Sequence, residues 1–258
     1  MMTQSDDVHM SMGGSSSDEQ VVLETWKAFT DDDHETWQLL INNRRPALHS
    51  QAHALFLDGL EILGLDRDGG VPDMKQLNRV LHARTGWETV PVPGLIASKL
   101  FFDLMAERKF PVGNFIRDRS DLGYTPAPDI FHDAFGHLPF LVNKGYANFV
   151  EELGRAGGAS RTDEELARFE RIYWFTIEFG LVQTKNGMRI YGGGLLSSHD
   201  ESAHALKDGA VEKRPYDLHA MATQAYHNNE MQSLLFVVDD VERVFRSAKD
   251  IKTVAEER

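Results

Sequence analysis

The chain has 258 residues, of which 41% are hydrophobic and none is cysteine, and its formal net charge is −13. This composition suits a well-filled core, excludes disulfides, zinc-thiolate sites, iron-sulfur clusters and thiol catalysis, and limits any metal to nitrogen and oxygen ligands. The acidic balance argues against a nucleic-acid partner, and no stretch approaches the roughly 20 apolar residues of a membrane span, so a cytoplasmic protein is expected.

Residues 1–20 are rich in Ser, Gly and Asp without an apolar period, which predicts a disordered tail ahead of one domain at 21–258. Asp32 or Asp33 is expected to cap a helix in which Trp37, Leu40 and Ile41 recur at helical intervals. A second helix, carrying Ala52, Leu55, Leu60 and Leu63, is expected after Pro46, and DMKQLNRVLHARTG predicts a third, closed by Gly86. ETVPVPGLIA reads as extended or looped, and SKLFFDLMAERKF as a short helix. ELARFERIYWFTIEFGLV predicts the longest helix of the second half, nearly all apolar from Ile172 to Val182 and therefore buried. GMRIYGGGLLSS suits a strand or hairpin followed by close backbone packing. SLLFVVDDVERVFRSAKDI reads as a strand turning into a helix capped near Asp239 or Asp240. The expected fold class is mostly α with short β-strands, an α+β domain without repeats.

Two features point to chemistry. His132 and His137 lie in PDIFHDAFGHLPFL, five residues apart. On a regular helix that spacing turns the second side chain about 140° from the first. Gly136 and Pro139 disturb the helix there, and a widening to five residues per hydrogen bond would bring both imidazoles onto one face. The alternative is a pair of histidines satisfied by ordinary hydrogen bonds. The second feature is Glu178, embedded in YWFTIEFGLV with the nearest cationic residues, Arg171 and Lys185, seven positions away on either side. A buried carboxylate is costly unless a cation, a metal or strong donors compensate it. Two imidazoles and a carboxylate form the ligand set of non-heme iron(II) oxygenases, and zinc hydrolases use the same set. The zinc enzymes' helical signature, with histidines four apart around a general-base Glu, is absent.

The motifs VPGLI, FIRDR, YTPAPDIFHDAFGHLPFL, YWFTIEFGL and RIYGGGLLSS, in that order and spacing, resemble the pterin-dependent aromatic amino acid hydroxylases, and most closely the single-domain bacterial phenylalanine hydroxylases. The likeness spans about residues 30–250 and implies the catalytic-domain fold of that family. It implies Fe(II) held by His132, His137 and Glu178, and a tetrahydropterin lying over Phe101 and against Gly94, Leu95 and Ile96, with Asp133 and Tyr173 nearby. It implies an aromatic amino acid whose carboxylate is met by Arg117 with Thr125 and Ser197, and whose ring lies near Trp174 and Tyr124. O2 would be divided between the pterin and the aromatic ring.

Two departures bear on the substrate. Asn228 stands where phenylalanine enzymes tend to carry an apolar residue and animal tyrosine enzymes an Asp, and Met231 replaces an aromatic. Phenylalanine is the expected substrate, with tyrosine, tryptophan or another ring position as alternatives. The chain has neither room for a regulatory domain nor a long C-terminal helix, so a monomer is expected. A zinc hydrolase and an inactive binding module are the rival classes. His199, His204, His219 and His227 are assigned no chemistry.

Overall fold

The computed structural model describes residues 22–123, 127–228 and 230–256, and the expected N-terminal tail lies outside them. Helix α1 (Asp31–Gln51) is capped by Thr30 rather than by Asp32 or Asp33. Asp33 supplies the other half of a capping box: Thr30 Oγ1 accepts from the Asp33 amide at 3.3 Å, and Asp33 Oδ2 accepts from the Thr30 amide at 2.8 Å.

The helix also runs straight through Pro46, where a restart was expected. Pro46 is exposed, so its missing N–H costs little. The stripe Leu40, Ile41, Arg44 and Leu48 stays buried across it and holds the helix together. The break comes instead at Ala52 and His53, both extended, before α2 (Ala54–Leu63). Helix α3 (Met74–Thr85) is capped by the Asp73 side chain and ends, as expected, at Gly86, which adopts a left-handed φ of 76°.

A small β-α-β unit follows. Strand β1 (Glu88–Val92) leads to α4 (Ser98–Ala106) and β2 (Lys109–Gly113), and the strands pair in parallel from Glu88↔Lys109 to Val92↔Gly113. Beyond it the chain enters a π-helical turn at Phe131–His137, then α5 (Leu138–Leu141), α6 (Lys144–Gly158) and α7 (Asp163–Tyr173), which passes into a second π-helical turn at Trp174–Glu178. The helix expected to continue to Val182 stops at Glu178. The Phe179 amide bonds five residues back to the Trp174 carbonyl at 2.9 Å, and Leu181 and Val182 belong to strand β3 (Leu181–Thr184).

Strand β3 pairs antiparallel with β4 (Gly187–Ile190), the strand expected of GMRIYGGGLLSS. The remaining elements are α8 (Gly193–Ser197), α9 (His199–Leu206), β5 (Glu212–Pro215), α10 (Leu218–Thr223), β6 (Leu234–Val238), α11 (Val241–Arg246) and α12 (Ile251–Glu256). Helix α11 is capped by Asp240, one of the two residues expected. The second sheet has the order β4-β3-β6-β5, with β6 parallel to both neighbours.

The core explains how the first π-turn is aimed. Phe131 and Phe135 stack at 4.8 Å and bury against Trp37 and Phe56, with ring centroids 5.1 and 5.6 Å away. These apolar side chains fix the turn to the helical layer. His132 and His137 lie together, their ring centroids 5.1 Å apart.

Candidate active site and metal centre

Both π-turns place side chains that a regular helix would separate. His132 and His137 bring their Nε2 atoms within 3.3 Å of each other. Glu178, the last residue of the second turn, puts Oε1 3.3 Å from His137 Nε2 and Oε2 3.6 Å from His132 Nε2. The three donors form the one such His/Asp/Glu group found among the described residues. Such spacings leave room for one ion at ordinary metal-ligand distances of about 2.0–2.2 Å. Insertion of an extra residue per turn is a feature that recurs at functional sites.

Electrostatics within the group are those of a carboxylate held by two imidazoles. Burial alone would raise the Glu178 carboxyl, but His137 and His132 outweigh it and hold the group well below the ordinary carboxylate range. Burial alone would lower His132, yet the Glu178 charge drives it up to about 9. The cluster thus satisfies the buried Glu178 with positive charge, the role a bound cation would take over.

The orientation of His132 follows from Ser197. The Ser197 hydroxyl donates to the Gly194 carbonyl at 3.0 Å and sits 3.0 Å from His132 Nδ1. Its proton being spent on Gly194, Ser197 accepts from Nδ1–H, which leaves Nε2 to face the site. The triple glycine beside it is sterically required. A Cβ on Gly193 would lie 2.5 Å from His137 Nδ1, and one on Gly194 2.3 Å from Glu178 Oε2.

Rings connect the cluster to the residues expected around a pterin. Phe101, half-buried on α4, meets Tyr173 edge-on at 5.1 Å, and Tyr173 lies nearly parallel to the His137 ring at 6.4 Å. Gly94, Leu95 and Ile96 form the loop between β1 and α4, with Leu95 exposed and Ile96 buried. Asp133 is buried and accepts from the Gly113 amide at 2.7 Å, and burial pushes its carboxyl up to about 6 against the pull of His132 and of that amide.

Arg117 is paired with neither Asp118 nor Asp121, the partners open to it as a surface arginine. Its side chain is 7% exposed, and Nε and Nη2 both bond Asp129 at 2.8 Å. Sequence reasoning missed Asp129, although an Asp three residues ahead of a helical His is a cap signal. Burial would raise its carboxyl, but Arg117 holds it below the ordinary value, and its Oδ1 also accepts from the His132 amide at 3.0 Å.

Trp174 stacks on Tyr226 at 4.3 Å and donates its indole N–H to Gln232 Oε1 at 3.0 Å. Gln232 is 5% exposed and also donates to the carbonyls of His227 and Glu230, so it pins the 224–233 loop, a role no sequence pattern announced. Asn228 is exposed on that loop, and Gln232 is the side chain turned inward. Tyr124 and Thr125 lie outside the described residues. A cavity of about 210 Å³ under the 64–73 loop, lined by Trp37, Arg67 and Asp73 among others, shares no residue with the cluster.

Two histidines and a glutamate converging without thiolates, on a mostly helical domain, are the ligand set of the mononuclear non-heme iron proteins. Comparison with known proteins agrees. The family described as biopterin-dependent aromatic amino acid hydroxylase matches residues 25–256. The phenylalanine-4-hydroxylase of Pseudomonas aeruginosa is 41% identical over 222 residues, 86% of this chain and 84% of that protein. The solved phenylalanine hydroxylase of Chromobacterium violaceum with bound iron(III) and 7,8-dihydrobiopterin superposes with a TM-score of 0.82 at 38% identity, covering 89% of this chain and 84% of that one. The same enzyme with iron and phenylalanine bound gives a TM-score of 0.81 at 38% identity, over 88% and 83%. This chain belongs to the biopterin-dependent aromatic amino acid hydroxylases.

Proposed function

We propose that the protein hydroxylates the ring of phenylalanine to give tyrosine. The observation that carries this reading is the convergence of His132, His137 and Glu178, with donor atoms 3.3 to 3.6 Å apart on two widened turns. In this reading those residues hold Fe(II). The nitrogen and oxygen donors fit that ion, and the glycines at 193 and 194 admit the ligands without collision. Iron and a reduced pterin, when bound, supply the activation of O2.

The chain's own groups position the reactants. Ser197 holds His132 in the tautomer that offers Nε2. Phe101 presents an aromatic face for a flat heterocycle beside Tyr173, against the backbone of Gly94, Leu95 and Ile96. Asp133, with one oxygen taken by the Gly113 amide, reaches that heterocycle through water. Arg117 meets the substrate carboxylate through the donors that Asp129 leaves free. Trp174 walls the ring pocket.

We infer further that the protein works as a cytoplasmic monomer. In support, Leu39, Leu95 and Met231 are the only large hydrophobic side chains exposed among the described residues, and no helix there is long and apolar enough to cross a membrane. The test is incubation of iron-loaded protein with tetrahydropterin and each of phenylalanine, tyrosine and tryptophan, followed by oxygen uptake and product identification. Tyrosine formed from phenylalanine is the expected result; turnover of another amino acid in its place overturns the substrate assignment.

A further inference from the structure

Between Ala222 and Leu234 every described residue is exposed or half-buried except Gln232, which is 5% exposed. A loop that needed only an anchor would bury an apolar side chain there, because a buried amide has to be desolvated and then matched donor for acceptor. Gln232 is fully matched. Its Oε1 accepts from the Trp174 indole at 3.0 Å, and its Nε2 donates to the His227 carbonyl at 2.7 Å and to the Glu230 carbonyl at 3.0 Å. Its own backbone carbonyl lies 3.1 Å from His204 Nε2 on α9, and the imidazole is the donor, since a carbonyl only accepts.

Two rings lie against Trp174. Tyr226 stacks on it at 4.3 Å with 17° between the planes, and Phe179 packs at 4.5 Å with a tilt of 32°. Stacking sets the plane of an indole but leaves its rotation within that plane free, and the bond from the indole N–H to Gln232 removes this freedom. The Trp174 carbonyl accepts the Phe179 amide at 2.9 Å, the bond that closes the turn ending in Glu178. On the other side, α9 follows directly on α8, whose last residue, Ser197, orients His132. Gln232 is the residue at which the loop, α9 and the turn bearing Glu178 are joined.

We propose that Gln232 is a positioning residue for hydroxylation: it holds the Trp174 indole and the 227–232 loop as one wall, and so fixes the substrate ring relative to the reacting centre. This rests on the reading of Trp174 as a wall of the ring pocket. It adds that the orientation of the wall is set from behind, by an amide that acts through Trp174 and not on the substrate. A ring left loose by a shifted wall lets tetrahydropterin oxidation run without hydroxylation, its two electrons and two protons then reducing O2 to H2O2.

The test compares wild type with Gln232→Met, which has no polar group, and Gln232→Asn, which keeps the amide but is one methylene shorter. Each protein is checked for a cooperative melt and for iron affinity by chelator competition, both expected to leave the variants iron-loaded and folded. Gln232→Met is expected to raise KM for phenylalanine roughly 3- to 10-fold, the size of one neutral hydrogen bond, with the rate of tetrahydropterin oxidation held within about threefold. Tyrosine formed per tetrahydropterin oxidised is expected to fall at least twofold, with H2O2 making up the difference, and Gln232→Asn to lie between Gln232→Met and wild type. In the iron-free proteins, hydrogen exchange of the 224–233 amides is expected to quicken in the same order. Should Gln232→Met not fold, Gln232→Asn decides alone. Wild-type KM and wild-type coupling in a folded variant make Gln232 a loop anchor only and overturn the proposal. A wild-type protein that turns over no aromatic amino acid instead removes the functional reading beneath it.

Discussion

The Asp129 carboxylate grips Arg117 through two bonds of 2.8 Å, and the same side chain receives the His132 amide at 3.0 Å. One wholly buried acid thus ties the candidate substrate clamp to the turn that carries a candidate iron ligand. Asp129→Ala is expected to strand the Arg117 charge and to cost about 3–5 kcal/mol in urea unfolding, the range for breaking a buried pair from one side. It is also expected to raise KM for the amino acid. Unchanged stability would show that the pair does not bear the load assigned to it.

Arg117→Ala tests the clamp from the other side. KM for the amino acid is expected to rise roughly 10- to 100-fold, with a stability loss of similar size to that of Asp129→Ala. If steady-state kinetics give the wild-type KM, Arg117 has no part in substrate recognition.

His132→Ala and Glu178→Ala are each expected to abolish iron retention, measured by elemental analysis after dialysis, together with turnover. Stripping the metal from the wild-type protein is expected to have the same effect on activity, and adding Fe(II) back to restore it. Activity that survives stripping would refute the assignment of the three ligands.

Gly194→Ala places a methyl where Glu178 Oε2 lies 2.3 Å away. The carboxylate or the α8 backbone has to move. Iron affinity, read by competition with a chelator, is expected to fall about tenfold or more, as when groups around metal ligands are disturbed. Equal affinity would mean that the close approach is not needed.

Glu151 offers a test of pH dependence away from the site. Burial alone would raise its carboxyl, but Arg108 and Arg155 outweigh it and hold the group below its ordinary value. A carboxyl depressed by folding stabilises above its unfolded pKa and loses that contribution as pH falls through the folded value. Glu151→Gln is therefore expected to cost about 1–3 kcal/mol at pH 7. The gap to wild type should close as pH falls below about 4.5. A gap independent of pH would assign the effect to packing.

The site was more legible in the sequence than the scaffold around it. An imidazole pair at an awkward spacing and an acid amid apolar residues both violate burial rules, and such violations are informative in a single sequence. The same reasoning anticipated the widening at His132, but not the second one at Glu178, where continuous apolarity reads equally well as helix or strand. Helix α6 was passed over because Gly145, Gly154, Gly157 and Gly158 weaken its local preference, and tertiary packing overrides that preference. Strand β2 was missed because Pro111 stands at its centre and its burial does not alternate. Asp129, Gln232 and Arg44 act through partners remote in the chain, which no local pattern encodes.

The two widened turns each hold a residue that ordinary helical bonding would omit. Loss of one residue between Phe131 and His137 would restore regular bonding and swing everything beyond by about 100° around the axis. A backbone more favourable in itself would then no longer present both imidazoles together. These short stretches are accordingly intolerant of any change in length, whereas the neighbouring loops can absorb one, and natural length variation in descendants of this chain should avoid both.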